Sequence, residues 1–199
     1  MDDPFGDYLE VVDAIYGVYL DSVAAFKWAK ERFEQAQQDG LRIFEAQGEH
    51  WTIQDLDQKK MHFGKGDPSK PDTEFLHSCT QAEYKDRNAP GGRNHQIIGN
   101  LCSVLIYQYW EDYYRARMAE LLGLSAEDLE VDIMGDLRQI RRSVIHHRAI
   151  AVDDIERCKI IRWFAPGDDI FITDDQFEQL IFQVKKGIFD LLEMRSKPA

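Results

Sequence analysis

The chain has 199 residues, with 24 basic and 36 acidic side chains, which gives a formal net charge of −12. That length fits a single domain over residues 1–199, and a hydrophobic content of 44% supports a buried core, so a disordered chain is excluded. Three separated cysteines without a CxxC pair argue against a disulfide framework and against a cysteine zinc site. The N-terminus lacks an apolar signal core, and the longest uncharged stretch, residues 94–110, is too short and too polar to span a membrane. We therefore expect a soluble, cytoplasmic protein that does not associate with membranes.

Two helices are predicted in the N-terminal part. Apolar residues at three- and four-residue steps predict a long helix over residues 7–38, and Gly40 is its predicted end. A short helix is predicted over residues 52–60, because Thr52 is a suitable N-cap and Asp55 follows it three residues later.

Glycine and proline interrupt residues 63–93, in which apolar side chains are scarce. We expect this stretch to be a long excursion between two helices, with a short helical piece near residues 75–84. Residues 65–93 are predicted to be the most mobile part of the chain, because few apolar side chains anchor them.

Three more helices are predicted at residues 94–122, 131–149 and 174–194. Gly123 is the predicted end of the first of them, and Thr173 is the predicted N-cap of the last. Residues 158–164 and 169–172 flank a Pro-Gly turn and form either a small hairpin or extended connectors. The predicted fold class is therefore all-α, a bundle of four to five main helices with a glycine- and proline-containing excursion between the first and second long helices.

One local stretch is basic within this acidic chain. A protein with a negative net charge is a poor non-specific binder of nucleic acid, because phosphate neutralisation needs a basic surface. Residues 137–152 nevertheless contain no acid and carry four arginines and two histidines. Any contact with nucleic acid is therefore expected at this stretch.

The predicted helix over residues 131–149 has an apolar side and a basic side. At about 100° per residue, one side gathers four apolar residues that should face the core, namely Ile133, Leu137, Ile140 and Val144. On the other side Arg138, Arg142 and His146 follow one another at four-residue steps, and we call these three residues the basic ridge. Guanidinium groups bind phosphate oxygens and imidazole titrates near neutrality, so the ridge is suited to hold a phosphate and to move a proton. A solvated basic face that only balances an acidic chain is the alternative interpretation.

The segment DLRQIRRSVIHHRAIA resembles the signature of HEPN domains, small all-α modules whose motif is an arginine, four to six residues and then a histidine, often in a run such as LRNxIVHNxGxA. The match is Arg141 with His146, and the trailing segment KIIRWFAPGDDIFITDDQFEQLI is also similar to bacterial HEPN proteins. The resemblance covers roughly residues 5–195.

The register of this motif has an alternative, because Arg142 and His147 satisfy the same spacing. We favour Arg141 and His146, since the residues before His146 match the small-apolar-apolar-His run of the family. His147 falls nearer the apolar side of the helix, where a hydrogen-bonded structural histidine is expected. The sequence also departs from the family, since Arg142 stands where catalytic members commonly have Asn, Asp or His.

The resemblance implies a metal-independent endoribonuclease in which the RNA 2′-hydroxyl attacks the adjacent phosphodiester and leaves a 2′,3′-cyclic phosphate. His146 would be the general base or acid, and Arg141 would stabilise charge on the phosphoryl oxygens. Arg142, Arg138 and His147 are the candidate phosphate-binding residues. Neither a metal nor a cofactor is expected.

The resemblance also implies a homodimer, because one histidine per chain is only half of an acid–base pair, and HEPN nucleases face two motif helices across a two-fold axis. We expect the basic ridge to line or border that interface. RNA is the expected substrate, in a toxin–antitoxin, phage-defence or stress setting, and the candidate protein partners are an antitoxin or a nucleotidyltransferase. The alternative function is a non-catalytic HEPN module that binds nucleotide or RNA or mediates a dimeric protein interaction.

Overall fold

The computed structural model describes residues 3–67, 70 and 72–196. Helices make up 66% of the structure, and the described residues contain one two-stranded sheet, so the fold is mostly helical as predicted. In chain order the elements are α1 (Pro4–Ala46), α2 (Ile53–Asp57), β1 (Lys60–Lys65), β2 (Glu74–Thr80), α3 (Gln81–Arg87), α4 (Arg93–Tyr109), a π-helical turn (Trp110–Tyr114), α5 (Arg115–Leu121), α6 (Asp132–His146), a 3₁₀ turn (Asp153–Arg157) and α7 (Asp174–Ser196). Among the described residues, none of these helices has both the length and the apolar character needed to cross a bilayer.

The chain divides into two compact units. The first unit consists of residues 1–22 and 96–199, and the second consists of residues 23–95. Helix α1 contributes its first half to one unit and its second half to the other. The basic stretch over residues 137–152 lies wholly in the first unit.

In the second unit, helix α1 continues past Gly40, so the predicted end of this helix is wrong. A glycine inside a helix costs only about 1 kcal/mol relative to alanine, and a long helix of good helix formers tolerates that cost. The chain leaves the helix at Gly48, whose φ of 82° suits a residue without a Cβ. The short helix α2 forms as predicted, with a capping box between Thr52 and Asp55.

The predicted excursion over residues 63–93 contains regular structure. Strands β1 and β2 pair antiparallel, with an irregularity in register between Phe63 and Gly64. Residues 75–80, where we expected a helical piece, are therefore strand, and the helix follows as α3, with a capping box between Thr80 and Glu83. The pattern of apolar residues did not predict these strands, because both strands are largely exposed. Backbone hydrogen bonds between the strands, rather than burial of side chains, stabilise them.

The mobility of residues 65–93 stays a prediction. The part of it that falls on residues 68, 69 and 71 lies outside the described residues.

The core of the first unit is built around the tyrosine ring of Tyr8, which packs against Trp110 and Tyr114 at centroid distances of 5.9 and 5.1 Å. Its hydroxyl donates a hydrogen bond to the carbonyl oxygen of Ile106 at 3.0 Å, so the buried polar atom is satisfied. Burial is the main cause that raises the pKa of Tyr8 above its ordinary value, and the nearby Tyr114 raises it further. This cluster fixes helix α1 against α4 and the π-helical turn.

The predicted helix over residues 94–122 is continuous but contains the π-helical turn. The Arg115 N–H bonds the carbonyl oxygen of Trp110, five residues earlier, so the helix widens locally. Both Trp110 and Tyr114 are buried, and the wide turn lets two large aromatic side chains enter the same core. The helix ends before Gly123, which has a φ of 70°, as predicted.

Residues 158–164 and 169–172 do not pair as a hairpin, since the only isolated bridge among the described residues joins Ile150 to Asp169. They connect the 3₁₀ turn to α7. The first of these segments is held to α6 by the buried carboxylate of Asp136, which accepts hydrogen bonds from the N–H groups of Lys159, Ile160 and Ile161, each at 2.7 Å. Hydrogen bonds to a charged acceptor are stronger than those between neutral groups. The Asp136 carboxylate thus supplies acceptors for three backbone N–H groups that have no neighbouring strand to pair with in the described part of the chain.

We expect Asp136→Ala to lower the free energy of unfolding by about 3 kcal/mol, because it leaves backbone donors without a partner in a largely buried place. The control is Asp132→Ala, one turn earlier on α6, where the carboxylate makes an ion pair with Lys159 between two half-exposed side chains. That pair is worth about 1 kcal/mol or less. Urea unfolding measures both, and equal losses would contradict the role given to Asp136.

Candidate functional site

Helix α6 buries its apolar side and exposes its basic side. Ile133, Leu137 and Ile140 are buried, while every residue of the basic ridge, Arg138, Arg142 and His146, is exposed. The helical periodicity therefore gave the correct direction for all three ridge side chains. Each of them nevertheless has different surroundings.

Arg141 lies on the flank of α6, half-buried against α4. Its Nε donates a hydrogen bond to Oε1 of Gln108 at 3.0 Å. Its guanidinium carbon lies 5.9 Å from the centre of the Tyr107 ring. Among the described residues no carboxylate pairs with this guanidinium, so Arg141 keeps its full positive charge beside neutral partners.

Tyr107 is buried next to the motif arginine Arg141 and lies near Arg138 of the basic ridge. Burial raises the pKa of Tyr107, and the Glu111 carboxylate raises it further. The charges of Arg138 and Arg141 act in the opposite direction on the same pKa. Tyr107 thus lies near two guanidinium groups, that of Arg141 on the flank of α6 and that of Arg138 on the basic ridge.

Arg138 also borders a groove of about 240 Å³. Other cations of this groove are paired, since Arg115 binds Glu111 and Lys159 binds Asp132. Within the described part of the chain, no carboxylate lies within ion-pair distance of Arg138, so its charge is available to a ligand.

Arg142 is paired with Asp154, which lies in the 3₁₀ turn after α6. Asp154 also binds Arg157 at 3.1 Å. The side chain of Arg142 is 53% exposed and that of Asp154 is 20% exposed, so solvent screens the pair only in part. Of Arg138, Arg141 and Arg142, only Arg142 therefore has a charge that a carboxylate within the described residues partly neutralises.

His146 is the last residue of α6, and its side chain is exposed. His147 follows outside the helix with φ −126° and ψ 24°, and it is exposed as well. The expectation that His147 lies near the core as a structural histidine is therefore wrong. Its position was extrapolated at helical spacing, whereas the helix ends one residue earlier.

The backbone after α6 makes a tight turn. Arg148 and Ala149 have φ angles of 55° and 66°, the left-handed region that side chains usually avoid. The carbonyl oxygen of Ser143 accepts hydrogen bonds from the N–H groups of His147 and Ala149, each at 3.1 Å, which closes the end of the helix. The buried hydroxyl of Ser143 also accepts a hydrogen bond from the N–H of Val152 at 3.3 Å.

The site therefore brings together some predicted residues and separates others. Arg138 and Arg141 flank Tyr107, but His146 lies five residues after Arg141, about 140° further around the helix axis. Sequence reasoning missed Gln108 and Asp154, because each is polar, lies on a different element and is linked to α6 only by the tertiary fold. Spacing within α6 holds no signal for either of them.

Comparisons with protein-family models, with curated proteins and with solved structures gave no match to this chain. The residues that the structure describes contain no group of three or more histidine, cysteine, aspartate or glutamate side chains placed to hold a metal ion. The interpretation of the site therefore depends on the geometry described above and on the motif resemblance.

We expect Ala149→Gly to raise the free energy of unfolding, by up to about 1 kcal/mol, because glycine adopts a positive φ without strain and this gain exceeds its larger entropy in the unfolded chain. The same substitution at Ala116, an exposed residue of α5 in the continuous helix that follows the π-helical turn, should lower that free energy by about 1 kcal/mol. Thermal and urea unfolding of both variants measure the difference. A loss of similar size at both positions would show that the turn is not strained.

Proposed function

We propose that this protein is a metal-independent endoribonuclease of the HEPN type. The observation that supports it most is the exposure of His146 and the partial exposure of Arg141 on a helix whose opposite side is core. Each of these two side chains can be reached from solvent without any change in the fold. The formal charge of −12 argues that RNA is bound at this one basic surface rather than over the whole protein.

In the proposed reaction, His146 accepts the proton of the RNA 2′-hydroxyl while that oxygen attacks the adjacent phosphorus. The bond from phosphorus to the 5′-oxygen of the next nucleotide breaks, and that oxygen takes a proton from a second imidazole. The products are a 2′,3′-cyclic phosphate and a 5′-hydroxyl. The terminal nitrogens of Arg141 stabilise the charge that grows on the phosphoryl oxygens, and Arg138 and Arg142 hold neighbouring phosphates.

The backbone after α6 also supports the resemblance. The family pattern LRNxIVHNxGxA has a glycine at the position that Ala149 occupies in this chain. Ala149 has a φ of 66°, which is the conformation that glycine favours. The same turn is therefore expected in the family and in this chain, although the residue differs.

The dimer belongs to the same proposal, because the second imidazole must come from a second copy. Five apolar or aromatic side chains lie four residues apart along α4 and the π-helical turn and are each 43–47% exposed, and we call them the α4 stripe: Ile97, Leu101, Leu105, Tyr109 and Tyr113. The stripe runs beside Gln108, the partner of Arg141, and therefore beside the motif. A continuous exposed apolar stripe is costly in water, and a second copy would cover it while bringing its own His146 to the site.

One observation favours the alternative of a non-catalytic module that binds nucleotide or RNA or mediates dimeric interaction. Asp154 partly neutralises Arg142 at the motif position where this chain already departs from catalytic members. A setting in toxin–antitoxin systems, phage defence or stress, with an antitoxin or a nucleotidyltransferase as partner, is proposed from the resemblance alone.

We expect the purified protein to cleave RNA in the presence of EDTA, and we expect His146→Ala to lower the rate at least about 100-fold, because it removes a general acid–base group. Arg141→Ala should be similarly severe, and Arg141→Lys should restore only part of the activity, since lysine lacks the planar pair of donors. The control is His50→Ala, an exposed histidine outside α6, which should leave both rate and melting temperature nearly unchanged. The measurement is cleavage of a labelled RNA with analysis of its 3′ ends for cyclic phosphate.

Three results would contradict this mechanism. Cleavage that EDTA abolishes would require a metal. An essential His147 with a dispensable His146 would move the motif to Arg142 and His147. A wild-type protein that binds RNA without cutting it would support the non-catalytic module instead.

We expect a homodimer at micromolar concentration that Leu105→Asp dissociates, with the dimer dissociation constant raised at least about 100-fold, because a carboxylate would be buried in an apolar interface. Leu20→Asp is the matched control, since Leu20 is also a helical leucine and is 48% exposed, but lies outside the α4 stripe. Light scattering after size-exclusion chromatography measures the mass of each variant. A monomeric wild type, or a variant of Leu20 that dissociates equally well, would contradict this interface.

A further inference from the structure

Gln108 links the motif arginine to a carboxylate on another element. Its Oε1 accepts the hydrogen bond from Arg141 Nε at 3.0 Å, and its Nε2 donates a hydrogen bond to a carboxylate oxygen of Asp112. Gln108 is in α4, Asp112 is in the π-helical turn and Arg141 is in α6. The three side chains therefore form a chain of hydrogen bonds from carboxylate through amide to guanidinium.

Chemistry fixes the orientation of the Gln108 amide in this chain. The guanidinium of Arg141 only donates hydrogen bonds, and the carboxylate of Asp112 only accepts them. The amide satisfies both neighbours in one orientation, because the flipped amide would place its NH₂ group against the guanidinium and its oxygen against the carboxylate. Asp112 thus determines which atom Gln108 presents to Arg141.

This arrangement leaves both terminal nitrogens of Arg141 for a phosphate. The hydrogen bond occupies Nε, while the two terminal nitrogens carry the paired donors that bind two oxygens of one phosphate. The acceptor is a neutral carbonyl, so it orients the guanidinium without cancelling its charge. The contrast with Arg142 is direct, since Arg142 is held by the carboxylate of Asp154.

The backbone of the π-helical turn, which carries Asp112, is fixed in position by the core. Asp112 lies between Trp110 and Tyr114, which are both buried, so the turn that carries the carboxylate is anchored in the core on either side. The Asp112 side chain itself is exposed, so these buried neighbours fix the backbone from which it extends, which favours a preorganised site.

We propose that Gln108, itself oriented by Asp112, is a positioning residue that holds the guanidinium of Arg141 ready for the scissile phosphate. This inference rests on the proposed ribonuclease function. It assigns the motif register to Arg141 and His146, because Arg141 is the arginine of the pair that is oriented and left uncompensated. It also assigns roles to two residues outside the helix that bears the motif.

The first test measures cleavage by Gln108→Leu, which keeps a side chain of similar size but offers no hydrogen bond. We expect kcat to fall about 10- to 100-fold with a smaller change in KM, because misorientation of Arg141 mainly affects the transition state. Gln108→Glu should lose a similar amount, since its carboxylate would neutralise Arg141 and repel Asp112. Gln183→Leu is the control, a half-buried glutamine of α7 that should keep wild-type kinetics and stability.

Two substitutions of Asp112 distinguish a role in orienting Gln108 from a role in packing. Asp112→Asn keeps an acceptor for the Gln108 amide and should retain most of the activity, whereas Asp112→Leu should lose about tenfold. Wild-type activity in Gln108→Leu, with Arg141→Ala inactive, would overturn the proposal. Equal losses in Asp112→Asn and Asp112→Leu would also overturn it.

An NMR measurement tests the contact between Gln108 and Arg141 independently of RNA cleavage. The Arg141 Nε–H resonance in ¹⁵N-correlated NMR spectra should show slow exchange with water in the wild type and fast exchange in Gln108→Leu, whether or not RNA is cleaved. Unchanged exchange in Gln108→Leu would refute the positioning role. A protein that does not cleave RNA but shows the expected change in exchange would refute the ribonuclease while leaving the Gln108 contact established.

Discussion

A single buried carboxylate fixes the relation between the motif helix and the segment that follows it. Asp136 lies on α6 beside the apolar residues that face the core, and it accepts hydrogen bonds from three successive N–H groups at residues 159–161. A buried charge is stable only where such donors surround it, so helix and segment hold each other in one arrangement. Cys158, next to these donors, also donates to the Asp136 carbonyl oxygen, and burial raises the pKa of its thiol to about 12.

This anchor has a direct consequence for the basic surface. The chain must return to α6 between His146 and residue 159, and it begins to do so through the left-handed pair Arg148 and Ala149. The returning chain places Asp154 against Arg142. The contact with Asp154 thus lowers the effective positive charge of Arg142, while Arg138 and Arg141 keep theirs. Positive charge is therefore distributed less evenly over this surface than the sequence indicates.

The two adjacent motif arginines illustrate how surroundings determine the use of identical side chains. Arg141 meets a neutral amide and an aromatic ring, and Arg142 meets a carboxylate. A neutral acceptor orients a guanidinium and leaves its charge to a ligand, whereas an ion pair must be broken or shared before an anion binds. The proposed ribonuclease mechanism and the positioning role of Gln108 both depend on this difference.

The mostly helical fold, most helix positions and the outward direction of the basic ridge could be predicted from the sequence, because periodic burial within a helix is a local property of the chain. The prediction failed at β1 and β2, whose exposed strands are held by cross-strand hydrogen bonds, and at His147, where the end of α6 depends on the turn at residues 148 and 149. The contacts of Gln108 with Arg141 and of Asp154 with Arg142 could not be predicted, because they form only when distant parts of the chain pack together. These pairs join residues 33 and 12 positions apart, and such separations leave no periodic signal in a sequence.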